Sequence, residues 1–151
     1  MIRFHKIIAT CLGIGYIGKG AGTVAAIATC IGWYFAWAGG CHSLLAIIIP
    51  IIITLLGVWS STVVSKEWGK DPSRVVIDEM AGMCITLISL PPNLAYLCAG
   101  LILFRFFDIA KPFFIRRMEK FPGGWGIMLD DVLAGIYSNL LLQAVLWFKL
   151  L

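Results

Sequence analysis

The chain has 151 residues, of which 60% are hydrophobic and 13% charged, with a formal net charge of +4. A soluble domain of this size carries roughly a quarter charged residues, so the composition excludes an ordinary water-soluble globule and implies an integral membrane protein. One compact domain over residues 1–151 is expected, without a nucleic-acid partner.

The opening stretch, MIRFHKIIATCLGIGYIGKGAG, has a short apolar run but no small-x-small cleavage site, so no cleaved signal is expected. Ile7–Gly18 is too short to span and, with residues 1–6, reads as an interfacial or re-entrant helix. A glycine-rich run follows, with Gly13, Gly15, Gly18, Gly20 and Gly22 interleaved with Lys19 and Thr23. Gly13-x4-Gly18-Lys19 approaches a Walker A loop. Gly20 stands where the Mg²⁺-binding Ser or Thr belongs, however, and no strand pattern precedes the run, so a P-loop is rejected. Gly20-Ala21-Gly22-Thr23 fits two roles, backbone N–H donation to an anion or close helix packing by small residues.

Ala21–Ala38 and His42–Trp59 are the first two predicted crossings, joined by the polar stretch Ser60–Arg74 to Val75–Leu90. Val75–Leu90 and Asn93–Phe107 fall short of the roughly 20 residues a span needs. With Pro91-Pro92-Asn93 as their turn, they form either a thin pair of crossings or a re-entrant hairpin. Lys111–Phe121 mixes aromatics with Arg and Lys, as a helix in the headgroup zone does. Val132–Leu151 is the last crossing. The expected fold is therefore all-α, a small bundle of about five transmembrane or re-entrant helices with interfacial helices at the cytoplasmic face. Parity along these segments puts all eight acidic residues and eleven of the twelve Lys and Arg on one face. Retention of positive charge marks that face as cytoplasmic. Five cysteines with no CxxC spacing read as buried, inert thiols.

Asp78, Glu79, Asp108, Asp130 and Asp131 all lie at the margins of apolar stretches on that same face. Carboxylates are expensive to keep there, and grouping them suits a hard divalent cation. Asp78-Glu79 and Asp130-Asp131 are each expected to open a helix, where an acid is also an ordinary cap. Adjacent side chains point about 100° apart, so capping accounts for one acid of each pair. Gly82 and Gly135 follow within about a turn and would let the two acidic helix starts meet. Arg105, Asp108 and Lys111 share a broad helical sector if the helix reaches Lys111. They fit either a stop-transfer cluster with an internal Arg105–Asp108 pair, or a metal ligand (Asp108) beside phosphate anchors (Arg105, Lys111). His5 and His42 fall on opposite faces, which argues against a histidine nucleophile. Trp125 lies in a glycine-rich loop that could cover the acids.

Phe104-Arg105-Phe106-Phe107-Asp108-Ile109-Ala110-Lys111-Pro112 and the run from Gly124 through Leu129-Asp130-Asp131 to Gly135 resemble the phosphatidylglycerophosphatase A family. Asp78-Glu79-x-x-Gly82 and Gly22-Thr23 match two earlier signatures of that family, and the four motifs run in order over Gly20–Gly135. The resemblance implies a Mg²⁺-dependent, multi-pass enzyme of the bacterial inner (cytoplasmic) membrane, with its site facing the cytoplasm. Its substrate would be phosphatidylglycerophosphate, cleaved to phosphatidylglycerol and phosphate. By the same resemblance, Asp78, Glu79, Asp108, Asp130 and Asp131 are expected as metal ligands and catalytic carboxylates. Arg105, Lys111, Lys19 and Thr23 are expected around the phosphate. Where the family has Pro before Gly-Thr and Gly-Ser shortly after it, this chain has Ala21 and Ala25-Ala26, which leaves that loop a backbone role. A CDP-alcohol phosphotransferase is disfavoured by the missing DGxxAR…GxxxD string, and histidine lipid phosphatases by the missing PSGH-type string. The alternative from another class is a small ion or solute transporter with an acidic cation site. Such a path would need polar lining in the first two segments, which have little.

Overall fold

The computed structural model describes residues 2–38, 40, 43–70 and 72–150. Among them the backbone forms helices and turns and no strands. In chain order these are α1 (Ile2–Ala9), a short 3-10 helix (Ile14–Ile17), α2 (Ala21–Ala38), α3 (Ser43–Trp68), α4 (Ile77–Thr86), α5 (Leu94–Ala110), α6 (Ile115–Met118) and α7 (Gly124–Trp147). Leu44–Trp68 and Gly124–Trp147 are long and apolar enough to cross a membrane. At about 1.5 Å per residue each exceeds a hydrocarbon core of about 30 Å. The all-α character is thus as expected, but among the described residues two helices, not about five, are long and apolar enough to span.

Several boundaries differ from the sequence expectation, each for a local reason. α2 matches the predicted first crossing. α3 continues through Ser60–Trp68, expected as a connecting stretch, because nothing breaks it before Gly69 at φ +91. Two of its hydroxyls find partners within the protein: Thr62 Oγ1 donates to the Val58 carbonyl at 2.7 Å, and buried Ser60 meets His5 of α1. α1 packs against α3, with His5 Nδ1 3.3 Å from Ser60 Oγ and a Lys6–Glu67 ion pair nearby. His42 and Cys41 lie outside the described residues. The proposed interfacial helix at Lys111–Phe121 is reduced to the single turn α6, since Pro112 and the positive φ of Phe113 (55°) prevent an earlier start. Cys11, Cys30 and Cys84 are buried as expected, whereas Cys98 is exposed.

α7 begins eight residues before the predicted Val132. Gly123 turns the chain at φ +61, and the Gly124 N–H donates to Thr62 Oγ1 at 2.8 Å. Trp125 therefore belongs to the first turn of α7 and is not part of a covering loop. Asp130 and Asp131 sit in the second turn, so neither is an N-terminal cap.

α4 is the hub. It packs against α2, α3, α5 and α7, and Ala81, Met83, Cys84 and Thr86 are buried. At ten residues it is roughly 15 Å long, which is half a bilayer core. Its carboxyl end lies inside the protein, where exposed carbonyls would be costly. α7 supplies the missing donors: Asn139 Nδ2 donates to the Thr86 and Ile88 carbonyls at 2.9 and 2.8 Å, and Gln143 Nε2 to Ile88 at 3.0 Å. Asn93, after the two prolines, caps α5 by accepting from the Tyr96 N–H at 3.0 Å.

Candidate active site

Gly82 of α4 and Gly135 of α7 mark the point where the two helices touch backbone to backbone. A Cβ on Gly135 would lie 3.0 Å from the Gly82 carbonyl carbon and 3.1 Å from its Cα. A Cβ on Gly82 would lie 2.5 Å from the Asp131 carbonyl oxygen. Asp78 lies four residues before Gly82 and Asp131 four before Gly135, one turn back on each helix. The crossing therefore drives these two carboxylates together. Asp78, Glu79 and Asp131 each present a carboxylate oxygen within 4.8 Å of the others. From a third direction, α2 closes on Glu79 at Gly22, where any Cβ would collide with the Glu79 carboxylate.

Around this cluster a cavity of about 590 Å³ is lined by all five predicted acids and by Arg105, Lys111 and Lys19. The backbone of Gly20–Gly22 and the Pro72–Ser73 segment complete the wall. Thr23, predicted beside the phosphate, does not line it. Arg105 Nη1 lies 2.5 Å from Asp108 Oδ2 and 3.9 Å from Glu79 Oε1. Lys111 caps α5 in the left-handed region (φ 44°, ψ 51°), which turns its side chain away from the helix it follows. Its Nζ donates to Asp130 Oδ2 at 2.7 Å and to Glu119 Oε1 at 2.6 Å. The structure thus brings three acids into one knot and gives each of the other two a basic partner. Asp108 also faces Asp131.

Burial and then the adjacent Glu79 carboxylate push the Asp78 carboxyl well above the usual carboxylate range, with Asp131 and Asp130 adding to the effect. One ordinary role is present too, since Asp78 Oδ1 accepts from the Glu79 N–H at 3.0 Å at the start of α4. Burial alone would lower the Lys111 ammonium, but its hydrogen bonds to Asp130 and Glu119 outweigh that and raise it, keeping the charge in place.

Unmatched atoms show what the cavity can accept. Glu79 Oε2 and Asp130 Oδ1 are buried without a hydrogen-bond partner, as is Arg105 Nε, whereas Nη1 is taken up by Asp108. Spare carboxylate oxygens fit a hard divalent cation, and a spare guanidinium donor fits an oxygen of a phosphate. Glu119 was not singled out in the sequence. It lies in a stretch rich in Arg and Lys, and nothing in its spacing from Lys111 or Asp130 marks it as their partner. His5, on α1, does not line the cavity.

Carboxylates and cations converging in one cavity of an apolar helical protein give it the make-up of a phosphate-handling enzyme. Comparison with known proteins narrows this. Residues 7–146 match the family model for phosphatidylglycerophosphatase A. A Bacteroides thetaiotaomicron protein named "Putative phosphatidylinositol-3-phosphatase" is 40% identical over 147 residues, covering 93% of this chain and 92% of its own. Phosphatidylglycerophosphatase A of Haemophilus influenzae is 36% identical (95% and 90% covered), and that of Escherichia coli 33% identical (87% and 77% covered). No solved structure matches the chain. The chain belongs to the phosphatidylglycerophosphatase A family and is a phosphoric monoester hydrolase. Family membership decides against the transporter alternative.

Proposed function

We propose that the protein is a Mg²⁺-dependent phosphatidylglycerophosphatase, hydrolysing the terminal phosphomonoester of phosphatidylglycerophosphate at the cytoplasmic side of a bacterial inner membrane. The observation that carries this reading is the knot of Asp78, Glu79 and Asp131 within 4.8 Å, facing Arg105 across one cavity. The two spanning helices and the family's relatives support membrane residence. The one-sided placement of nearly all charges supports several crossings or re-entrant segments, with the cavity facing the cytoplasm.

Asp78, Glu79 and Asp131 would hold the metal, with Asp108 and Asp130 close enough to join or to orient them. Bound there, Mg²⁺ would supply charge neutralisation of the phosphoryl oxygens and a water of lowered pKa. Arg105, held by Asp108 through Nη1, offers its free Nε to the phosphate and stabilises charge as the ester bond breaks. Lys111 fixes Asp130 and adds positive charge at the wall. Lys19 stands exposed at the rim, beside the backbone of Gly20–Gly22, where an incoming anion first meets the site. A carboxylate not needed to hold the metal would serve as general base for water or as nucleophile.

The test is phosphate release by purified protein in detergent from phosphatidylglycerophosphate, with and without EDTA and with Mg²⁺ restored. Phosphatidylinositol 3-phosphate is assayed in parallel, because the name of the 40%-identical relative favours it as a second substrate. EDTA-insensitive turnover would overturn the metal reading. A preference for the inositol lipid would transfer the activity to that headgroup.

A further inference from the structure

Beside the acidic cavity, α2 and α5 diverge to leave an apolar groove of about 680 Å³, whose lining includes Ile27, Ile31, Tyr34, Leu97, Cys98 and Leu101. Its position relative to the charged site follows from helical spacing. On α5, Leu94, Leu97, Leu101, Arg105 and Asp108 recur every three or four residues, so one face of the helix passes from groove to cavity without a turn. Gly20, immediately before α2, and Ile27 of α2 lie seven residues apart, and Ile31 and Tyr34 continue the same stripe. Both helices therefore contribute charged or backbone groups to the cavity at one end and hydrocarbon to the groove at the other.

The lengths agree as well. At about 1.5 Å per residue, the groove begins roughly 6–8 Å from the cavity, counted from Gly22 to Ile27 and from Arg105 to Leu101. It ends roughly 16–20 Å away, counted to Phe35 and to Leu94. One leaflet of hydrocarbon is about 15 Å deep, half of a core of about 30 Å. A phosphate held by Arg105 would thus leave a lipid's hydrocarbon beside a groove that extends about as far as the leaflet does.

We infer that the groove between α2 and α5 binds an acyl chain of the phospholipid substrate and so aligns its headgroup with the acid cluster. This rests on the phospholipid-phosphatase reading above and adds to it the site that distinguishes a lipid from a soluble phosphate ester. Cys98 and Ile31 are exposed in the groove and form no part of the charged cavity, so both accept a larger side chain without disturbing a packed core.

The experiment compares Cys98→Trp and, independently, Ile31→Trp with the parent enzyme on two phosphatidylglycerophosphates, one with long acyl chains and one with six-carbon chains. The expected result is a fall of about tenfold or more in the ratio of kcat/KM, long over short chain. That is the size expected when several buried methylenes lose their contacts. A photoreactive group on the long chain should label Ile27–Phe35 and Leu94–Leu101 above the apolar surface of α3. An unchanged ratio for both variants would overturn the inference, as would labelling spread evenly over α3 and α7. A change in oligomeric mass with the ratio unchanged would assign the groove to a second copy of the chain instead. Parent enzyme inactive on both lipids would fault the phosphatase reading itself, a different outcome from an active parent with indifferent variants.

Discussion

Gly135→Ala probes the crossing that assembles the site. The added methyl would meet the Gly82 carbonyl group head-on, 3.0 Å from its carbon and 3.1 Å from Gly82 Cα. Carbon atoms rest at about 3.5–4.0 Å, so α4 and α7 must separate by roughly 0.5–1 Å at this point. No flexible side chain can absorb the strain, because the obstructing atoms are backbone. Overpacking of this kind costs about 1–3 kcal/mol, so the protein should still fold. The functional loss should be larger. Asp131 and Asp78 lie one turn from the contact, and a displacement near 1 Å within a reacting constellation costs on the order of a hundredfold in rate. The assay is phosphate release from phosphatidylglycerophosphate at saturating Mg²⁺, with helical content and thermal unfolding recorded in the same detergent. Gly32→Ala is the control, since a methyl there meets nothing within 4 Å and a helix-interior alanine should be neutral or stabilising by up to about 1 kcal/mol. If Gly135→Ala turned over within about twofold of the parent, the glycine crossing would not be what positions the carboxylates.

Asp131→Asn should retain the fold and lose at least about 100-fold in Mg²⁺-dependent turnover, given that even outer-shell partners of a metal are worth 10- to 100-fold; a Mg²⁺ titration of activity checks it. Lys111→Met leaves Asp130 and Glu119 without their shared ammonium and should lower kcat/KM on the order of a hundredfold, with partial recovery in Lys111→Arg. Full activity in the methionine variant would show that this pairing is dispensable. Asn139→Leu removes the donor to the Thr86 and Ile88 carbonyls and should destabilise the protein by about 1–3 kcal/mol in thermal or denaturant unfolding. Gln143→Leu should cost less, because Ile88 keeps Asn139 as a partner. Equal effects of the two would refute the capping argument.

The all-helical character, the proline turn before Asn93 and the bounds of α2 were legible because hydrophobic runs and prolines are local signals. The glycine pair at Gly82 and Gly135 was readable as well, since its spacing from Asp78 and Asp131 is the same on both helices. What escaped were decisions made by tertiary partners. Ser60–Trp68 looked like a connection because its side chains are polar; in the fold Ser60 meets His5 of α1, and Thr62 bonds within α3 and to the start of α7. The early start of α7 depends on Thr62, 62 residues upstream of Gly124. The Arg105–Asp108 pair was one of the readings its spacing allowed, but the pairing of Asp130 with Lys111 was hidden. It depends on the left-handed turn at Lys111, which a helix pattern running up to Pro112 conceals. Thr23 was expected near the phosphate from its motif, and the cavity instead uses the glycine backbone just before it.

The amides of Asn139 and Gln143 also bear on the order in which the protein can be made. During synthesis α4 emerges long before the residues that close off its open end, and its first acid waits equally long for Asp131. Until the final helix arrives, the half-length segment has neither its carbonyl partners nor its full set of carboxylates. A chain cut short before residue 131 should therefore be inert and easily degraded, so the enzyme gains its activity and its durability in the same late step.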